Sequence, residues 1–243
     1  MSAVDPEMAL ARISGWIERR ERRYVCVRDV HGIALGLRDP ELRRINNESG
    51  LTTPDGMPTV WCGRYAGAHW MRRVYGPDLM LAVLEVAARR GWTSYLYGGS
   101  PESLDALEAR LLERFPGLRI VGTWSPPFRE LTPDEEVEVV GRINDAAPDL
   151  VWVGLSTPKQ ERWMHRHRDA LQAPVLLGVG AAFDFHAGTK RQAPRWMQRN
   201  GLEWFFRLCT EPRRLWRRYL VGNTAFVWSV LRRRPRMVED VDA

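Results

Sequence analysis

TSYLYGGSPESLDALEARLLERFPG, residues 93–117, decides the fold. TSYLYGG (93–99) is mostly aromatic, apolar or β-branched, as a strand is. After it, Leu104, Leu107, Leu111 and Leu112 recur at helical spacing over 101–117. The unit then repeats. LRIVGTW (118–124) reads as a strand, SPPFRE as a loop, and 132–148 as a helix. That helix has Thr132 as its cap, Pro133 at its first position and acids in its first turn. DLVWVGL (149–155) is a strand before a helix over 157–171, and PVLLGVG (174–180) is the last strand. Upstream, YVCVRDV (24–30) reads as a strand and RDPELRRINN (38–47) as a short helix. Residues 66–74 have helical spacing, and GPDLMLAVLEVAARRG (76–91) is a helix ended by Gly91. Near-continuous apolar strands alternating with helices imply a mostly parallel sheet covered on both faces. The fold class predicted is α/β, doubly wound, over residues 24–194. A polar, partly helical lead-in (1–23) precedes it, and a basic, aromatic-rich helical appendage (195–243) follows.

Composition suits this reading. The chain has 243 residues, 44% hydrophobic and 27% charged, enough for one sizeable globular domain with an appendage. Cys26, Cys62 and Cys209 are far apart and odd in number, which predicts a reducing compartment and no disulfide framework. No apolar secretory region opens the chain, and no run of about 18 apolar residues predicts a membrane span.

The charge is uneven. Residues 195–236 hold eleven arginines against Glu203 and Glu211, a net +9, so the remainder carries −3 of the chain's +6. Such a stretch calls for an anionic partner. Arginines interleave with Trp204, Phe205, Phe206, Trp216, Tyr219, Phe226 and Trp228. That mixture suits nucleic acid. It equally suits an interfacial helix on an anionic membrane surface, where each basic residue contributes about 1 kcal/mol. Ordinary core packing with a solvated basic face is the plain alternative.

Ligands of open parallel sheets bind beyond the carboxyl ends of the strands. Four segments fall there. In YGGSPES (97–103), Gly98, Gly99 and Ser100 open a helix whose N-terminus favours an anion such as a diphosphate, although many such turns carry two glycines. In GLSTPKQERW (154–163), Lys159 and Gln160 sit in a first turn, where a lysine opposes the helix dipole unless it serves phosphate or a sugar hydroxyl. GVGAAFDFHAGTKRQAP (178–194) brings Asp184 and His186 after the last strand, His186 being equally a structural histidine. TTPDGMPTVW (52–61) holds Asp55 between Pro54 and Gly56, either as an Asx-turn or as an acid at the site rim.

Other motifs fall away. Asp240-Val241-Asp242 is a D-x-D in an acidic tail and reads as accidental. His165 and His167 are two apart on a helix and do not share a face, so no zinc pair is expected. There is no Walker A motif, no nucleophile elbow and no dinucleotide glycine fingerprint. An NAD-dependent oxidoreductase therefore lacks support.

TTPDGMPTVW, RRVYGPDL, YLYGGSPES, VGLSTPKQERWMHRH, GVGAAFDFHAG and RNGLEWFFRLCTEPRRLWRRYL occur in that order. Together they resemble the WecG/TagA/CpsF glycosyltransferases (family GT26) over about residues 24–230. The resemblance implies a Rossmann-like core and inverting transfer of a sugar from a UDP-sugar. The acceptor would be lipid-linked, a polyprenyl-diphosphate sugar at the cytoplasmic membrane face, in cell-surface polysaccharide synthesis. It also implies Asp55 as general base and Gln160 as a pocket residue. Arg207, Arg214, Arg217 and Arg218 are nominated as the appendage cations that reach the membrane and help hold the diphosphate. The family's T-x-N motif is not matched: Val27 and Asp29 stand there, in VRDVHG, and no role is carried to Asp29 or His31. A second carboxylate close to Asp55 would raise its pKa.

The mechanism expected has Asp55 take the acceptor proton. The helix N-terminus after Gly98-Gly99 and the appendage arginines would stabilise the leaving diphosphate. No metal and no cofactor are expected, and no nucleic acid partner. A homo-oligomer stays open. The alternative from another class is a nucleotide- or nucleic-acid-binding regulator using the basic C-terminus, which leaves the Asp55 turn without a role.

Overall fold

Apolar runs of four to six residues become strands because they can be covered from both sides. In the computed structural model, which describes residues 1–238, six strands form one parallel sheet among the described residues. They are β1 (Arg23–Arg28), β2 (Leu51–Pro54), β3 (Thr93–Gly98), β4 (Arg119–Trp124), β5 (Leu150–Gly154) and β6 (Val175–Gly178), in the order β2-β1-β6-β5-β3-β4. All five pairings are parallel. Asp240 and Asp242 lie outside the described residues.

The helices are α1 (Pro6–Glu18), α2 (Val30–Arg38), α3 (Pro40–Asn47), α4 (Met57–Tyr65), α5 (Gly76–Arg90) and α6 (Pro101–Arg114). There follow α7 (Pro133–Asp145), α8 (Lys159–His167), α9 (Ala182–Ala187), α10 (Arg195–Arg199), α11 (Glu203–Thr210) and α12 (Pro212–Arg232). Side chains alternate across each strand. Val25, Leu96, Trp152 and Leu177 therefore pack on one face with α1, α5, α6 and α9, through residues such as Ile13, Val83, Leu107 and Phe183. Tyr24, Cys26, Tyr97, Val153 and Leu176 pack on the other with Ile143, Trp163 and Met164 of α7 and α8. Each fully buried large side chain contributes about 1.5–3 kcal/mol. Both faces are covered, so the sheet is doubly wound.

Caps behave as the residues dictate. Thr132 and Glu135 form a reciprocal capping box on α7, and Gly91 closes α5 in the left-handed region at φ 72°.

The structure corrects several expectations. The lead-in is not a separate segment: Val4, Ala9, Ile13, Trp16 and Ile17 are buried in the core. Neither α2 nor β2 is evident in the residue pattern. Gly32 and Gly36 weaken the helical signal of α2, and four residues of β2 are too few to show a period. Residues 66–74 are not helical. Ala68, Met71 and Val74 are buried along irregular chain, and the spacing that resembled a helix comes from three separate plugs into the core. The helices expected over 101–117 and 157–171 end early, at Arg114 and His167.

Connections after β3 run outward to β4, whereas those after β5 run back to β6, so the chain diverges where Gly98 pairs with Gly154. The appendage packs on the core: α12 lies along α2, and α11 against α12. At that crossing a Cβ on Gly222 would lie 3.6 Å from His31 Nδ1, in ordinary contact, so the helices meet closely.

Candidate active site

β1 and β2 end side by side, with Arg28 opposite Pro54. The next residue, Asp55, donates its N–H to the Arg28 carbonyl at 2.9 Å, which fixes the turn. Its side chain does not close an Asx-turn. Oδ1 is buried and has no hydrogen-bond partner, and α4 starts at Gly56 without a side-chain cap. An acid held this way has been left for something else.

Arg73 is the group beside it. Its Nε donates to the Asp55 carbonyl, and its Nη2 lies 3.5 Å from Oδ1. The same Nη2 lies 2.5 Å from Glu203 Oε2 on α11, and Nη1 donates to Gln198 at 3.3 Å. The guanidinium stacks 4.0 Å over the Tyr75 ring, whose hydroxyl donates to Glu203 Oε1 at 3.4 Å. Burial pushes the Asp55 carboxyl up to about 7; Arg73 and Arg207 oppose this, while Glu203 and Asp29 add to it. A carboxylate with that pKa is suited to act as a base near neutral pH.

Asp29 stands at the start of α2, its Oδ1 accepting from Gly32 N–H at 2.9 Å and its Oδ2 from Arg218 at 2.6 Å. Burial alone would raise its pKa, but Arg218 and the Gly32 N–H outweigh it and hold the carboxyl far below its usual range. Asp29 is thus a further carboxylate near Asp55, and its charge, after that of Glu203, helps to raise the base's pKa. His31 is pushed down to about 4 by burial and by Arg218, so its ring is neutral at pH 7.

Asp29, His31, Asp55, Arg73, Gln198 and Glu203 line one cavity of about 900 Å³. Asp29, Asp55, Arg73, Glu203, Arg207 and Arg234 are its charged groups; α4 and α12 supply most of the apolar wall.

The other expected site residues divide. Arg218 reaches Asp29, whereas Arg214 pairs with Glu211 at 2.6 Å and Arg217 lies over the Trp216 ring, both away from Asp55. Gly98, Gly99, Ser100, Lys159, Gln160 and Asp184 lie at the sheet's carboxyl edge but do not line the cavity. Gly98 answers a close approach: at φ 124°, a Cβ there would sit 2.7 Å from the Gly154 backbone. Ser100 caps α6 by accepting from Ser103 N–H at 3.2 Å. Asp184 pairs with Lys190 at 2.6 Å, and His186 bonds the Pro77 carbonyl at 2.9 Å. Lys159 is exposed.

Gln160 is buried, with Oε1 unpartnered and Nε2 donating to Glu161 Oε1 at 3.1 Å. Glu161 in turn lies 3.2 Å from Arg28 in a wholly buried ion pair. That run of three side chains connects the β5–β6 mouth to the end of β1, beside Asp29.

Nothing in the local pattern around Arg73 or Glu203 marks either as a site residue. The wider sequence carries a signal for each. Arg73 lies in RRVYGPDL, and Glu203 is one of two acids among eleven arginines. Among the described residues, no three His, Cys, Asp or Glu side chains converge in a way that would hold a metal ion. No described helix is long and apolar enough to cross a membrane.

Comparison with known proteins bears on what this cavity does. The chain is 29% identical over 184 residues to an N-acetylglucosaminyldiphosphoundecaprenol N-acetyl-beta-D-mannosaminyltransferase of Bacillus subtilis (strain 168), covering 76% of this chain and 70% of that one. A protein of the same description from Bacillus spizizenii is 29% identical over 196 residues, covering 81% and 74%. The model of the glycosyl transferase WecG/TagA/CpsF family matches residues 1–239. The polar cavity built around Asp55 therefore belongs to a glycosyltransferase, and the chain is a member of the WecG/TagA/CpsF family.

Proposed function

We propose that this protein transfers a sugar from a UDP-sugar to a polyprenyl-diphosphate-linked sugar, with inversion, and that Asp55 is the general base. One observation carries the reading: Asp55, whose buried Oδ1 has no hydrogen-bond partner and whose carboxyl is pushed up to about 7, lines a cavity edged by arginine. The acceptor hydroxyl gives its proton to Asp55 as it attacks the anomeric carbon. Such a base contributes about 10²–10⁴-fold. The bond to UDP breaks on the opposite face, and the leaving diphosphate takes the electron pair.

Arg207 is the cavity-lining cation for a diphosphate, Arg218 acts behind it by holding Asp29, and the helix start at Ser100 offers N–H groups at the sheet mouth. Gln160, with its free Oε1, is suited to a sugar or nucleotide donor group. Lys159 and Asp184 stand at the same mouth as secondary contacts. We assign no metal to the reaction, since guanidinium groups supply the charge that a divalent ion would.

The relatives' printed acceptor, a diphosphoundecaprenol carrying N-acetylglucosamine, and their N-acetylmannosaminyl product make UDP-N-acetylmannosamine the first donor to test. A lipid-linked acceptor fits a place on the inner membrane face. The basic, aromatic α12 would then rest on anionic lipid.

The test is UDP release from a panel of UDP-sugars, with a short-chain polyprenyl-diphosphate sugar as acceptor, in wild type and Asp55→Asn. Acceptor-dependent release that the substitution removes, with UDP binding kept, supports the reading. Undiminished release in the variant would remove Asp55 from catalysis.

A further inference from the structure

The cavity is two-ended. Beyond the charged groups around Asp55, its walls are Trp61 and Tyr65 of α4, facing Phe226, Val227, Val230 and Leu231 of α12. Met57, Trp61 and Tyr65 are spaced by four and share one face of α4. Tyr219, Phe226 and Val230, seven and four apart, share one face of α12. These walls are left open: Tyr65 is 66% exposed and Leu231 72%. Large apolar side chains on two facing helices, in a cleft of about 900 Å³, are built for an apolar occupant. From Tyr219 to Leu231, α12 runs about 18 Å, long enough for several isoprenyl units.

We propose that the outer half of this cavity is a slot for the isoprenyl units next to the acceptor's diphosphate, held by the protein rather than by the bilayer. The inference rests on the proposed acceptor and adds how its lipid is read. Continuity argues for that occupant. One molecule that is anionic at one end and apolar along the rest matches a cleft that is cationic at Arg207 and apolar along Trp61, Tyr65, Phe226, Val230 and Leu231, with Arg234 lining it past Leu231. A bilayer acyl chain has no reason to extend to Asp55. The slot would select a prenyl tail by its length, and would draw the sugar end toward the base.

The experiment is calorimetric titration of the full chain, free of detergent and vesicles, with inorganic diphosphate, dimethylallyl diphosphate, geranyl diphosphate and farnesyl diphosphate. Affinity should rise about tenfold or more for each added isoprenyl unit. In Val230→Asp, and separately in Trp61→Ala on the opposite wall, the ratio of farnesyl to inorganic diphosphate affinity should fall at least tenfold. Circular dichroism would check that each variant folds.

An equal affinity for all four ligands, or a ratio that neither substitution changes, would overturn the slot. So would a length dependence that emerges only with anionic vesicles, or a dimer that Trp61→Ala dissociates. Binding needs no transfer, so the two readings fail separately. Tail-dependent binding without sugar transfer to any acceptor would refute the proposed function and keep the slot. Transfer without tail dependence would do the reverse.

Discussion

Glu203 and Asp55 share one guanidinium: Arg73 Nη2 lies 2.5 Å from the glutamate and 3.5 Å from the aspartate. The closer partner is on α11, so docking of the C-terminal helices sets the electrostatics of the turn that opens α4. Arg73 is drawn off the Asp55 side chain toward Glu203, and Oδ1 is left with the longer ion pair and no hydrogen bond.

Activity should rise with pH as Asp55 loses its proton, with the acidic limb of kcat/KM near 7. Glu203→Gln removes a nearby negative charge and frees Arg73 for Asp55. Both effects favour the carboxylate, so the limb should move to lower pH. A profile measured from pH 5 to 9 in both proteins checks this, and an unmoved limb would show that Glu203 does not tune the base.

Asp55→Asn should cost about 10²–10⁴-fold in kcat and yet stabilise the fold above neutrality. The carboxyl is lifted from 3.8 to about 7 on folding, so the native state holds its proton more tightly than the unfolded chain does. Stability from this group is full below pH 3.8 and is lost as pH rises through about 7. Melting curves should therefore show the variant more stable than wild type at pH 8, with the gap closing near pH 4.

The appendage arginines should not be equivalent. Arg218→Ala leaves Asp29 charged without its partner, and Arg207→Ala strips a cation from the cavity. Each should lower kcat/KM by more than about tenfold on a water-soluble short-chain acceptor. Arg214→Ala and Arg217→Ala should stay within about twofold there, because exposed pairs contribute little. Equal losses across the four would contradict this division.

Gly98→Ala should destabilise the domain by about 1–3 kcal/mol or more, since the new Cβ meets the Gly154 backbone at a positive φ. Chemical denaturation reads the loss directly, and a neutral outcome would mean that the β3–β5 mouth is looser than this approach requires.

Chelation gives the sharpest test of how the diphosphate is neutralised. With arginines in that role, EDTA should leave the rate within about twofold of its untreated value. Full loss, restored by Mn²⁺, would require a divalent ion in the transfer step.

The sheet was readable from residue order because β3, β5 and β6 are continuous apolar runs between strongly periodic helices. Those patterns are local, and the packing of a doubly wound sheet agrees with them. β2 and α2 were not readable. LTTP is buried only because β1 lies beside it, and Gly32 of α2 makes sense only once the Arg28 side chain presses against it. The helical spacing at 66–74 pointed the wrong way for the same reason, since burial there is imposed by distant chain.

The site divides along the same line. Asp55 stood out by its turn, and the basic C-terminus by its charge, because both are properties of neighbouring residues. That Arg73 and Glu203 meet at Asp55, that Arg218 rather than Arg214 reaches Asp29, and that Gln160 sits apart from the cavity are facts of juxtaposition. Glu203 is 148 residues from Asp55 in the chain. Only tertiary structure could bring them to one guanidinium, because pKa and charge stabilisation depend on distances of a few ångströms, which residue order alone does not carry.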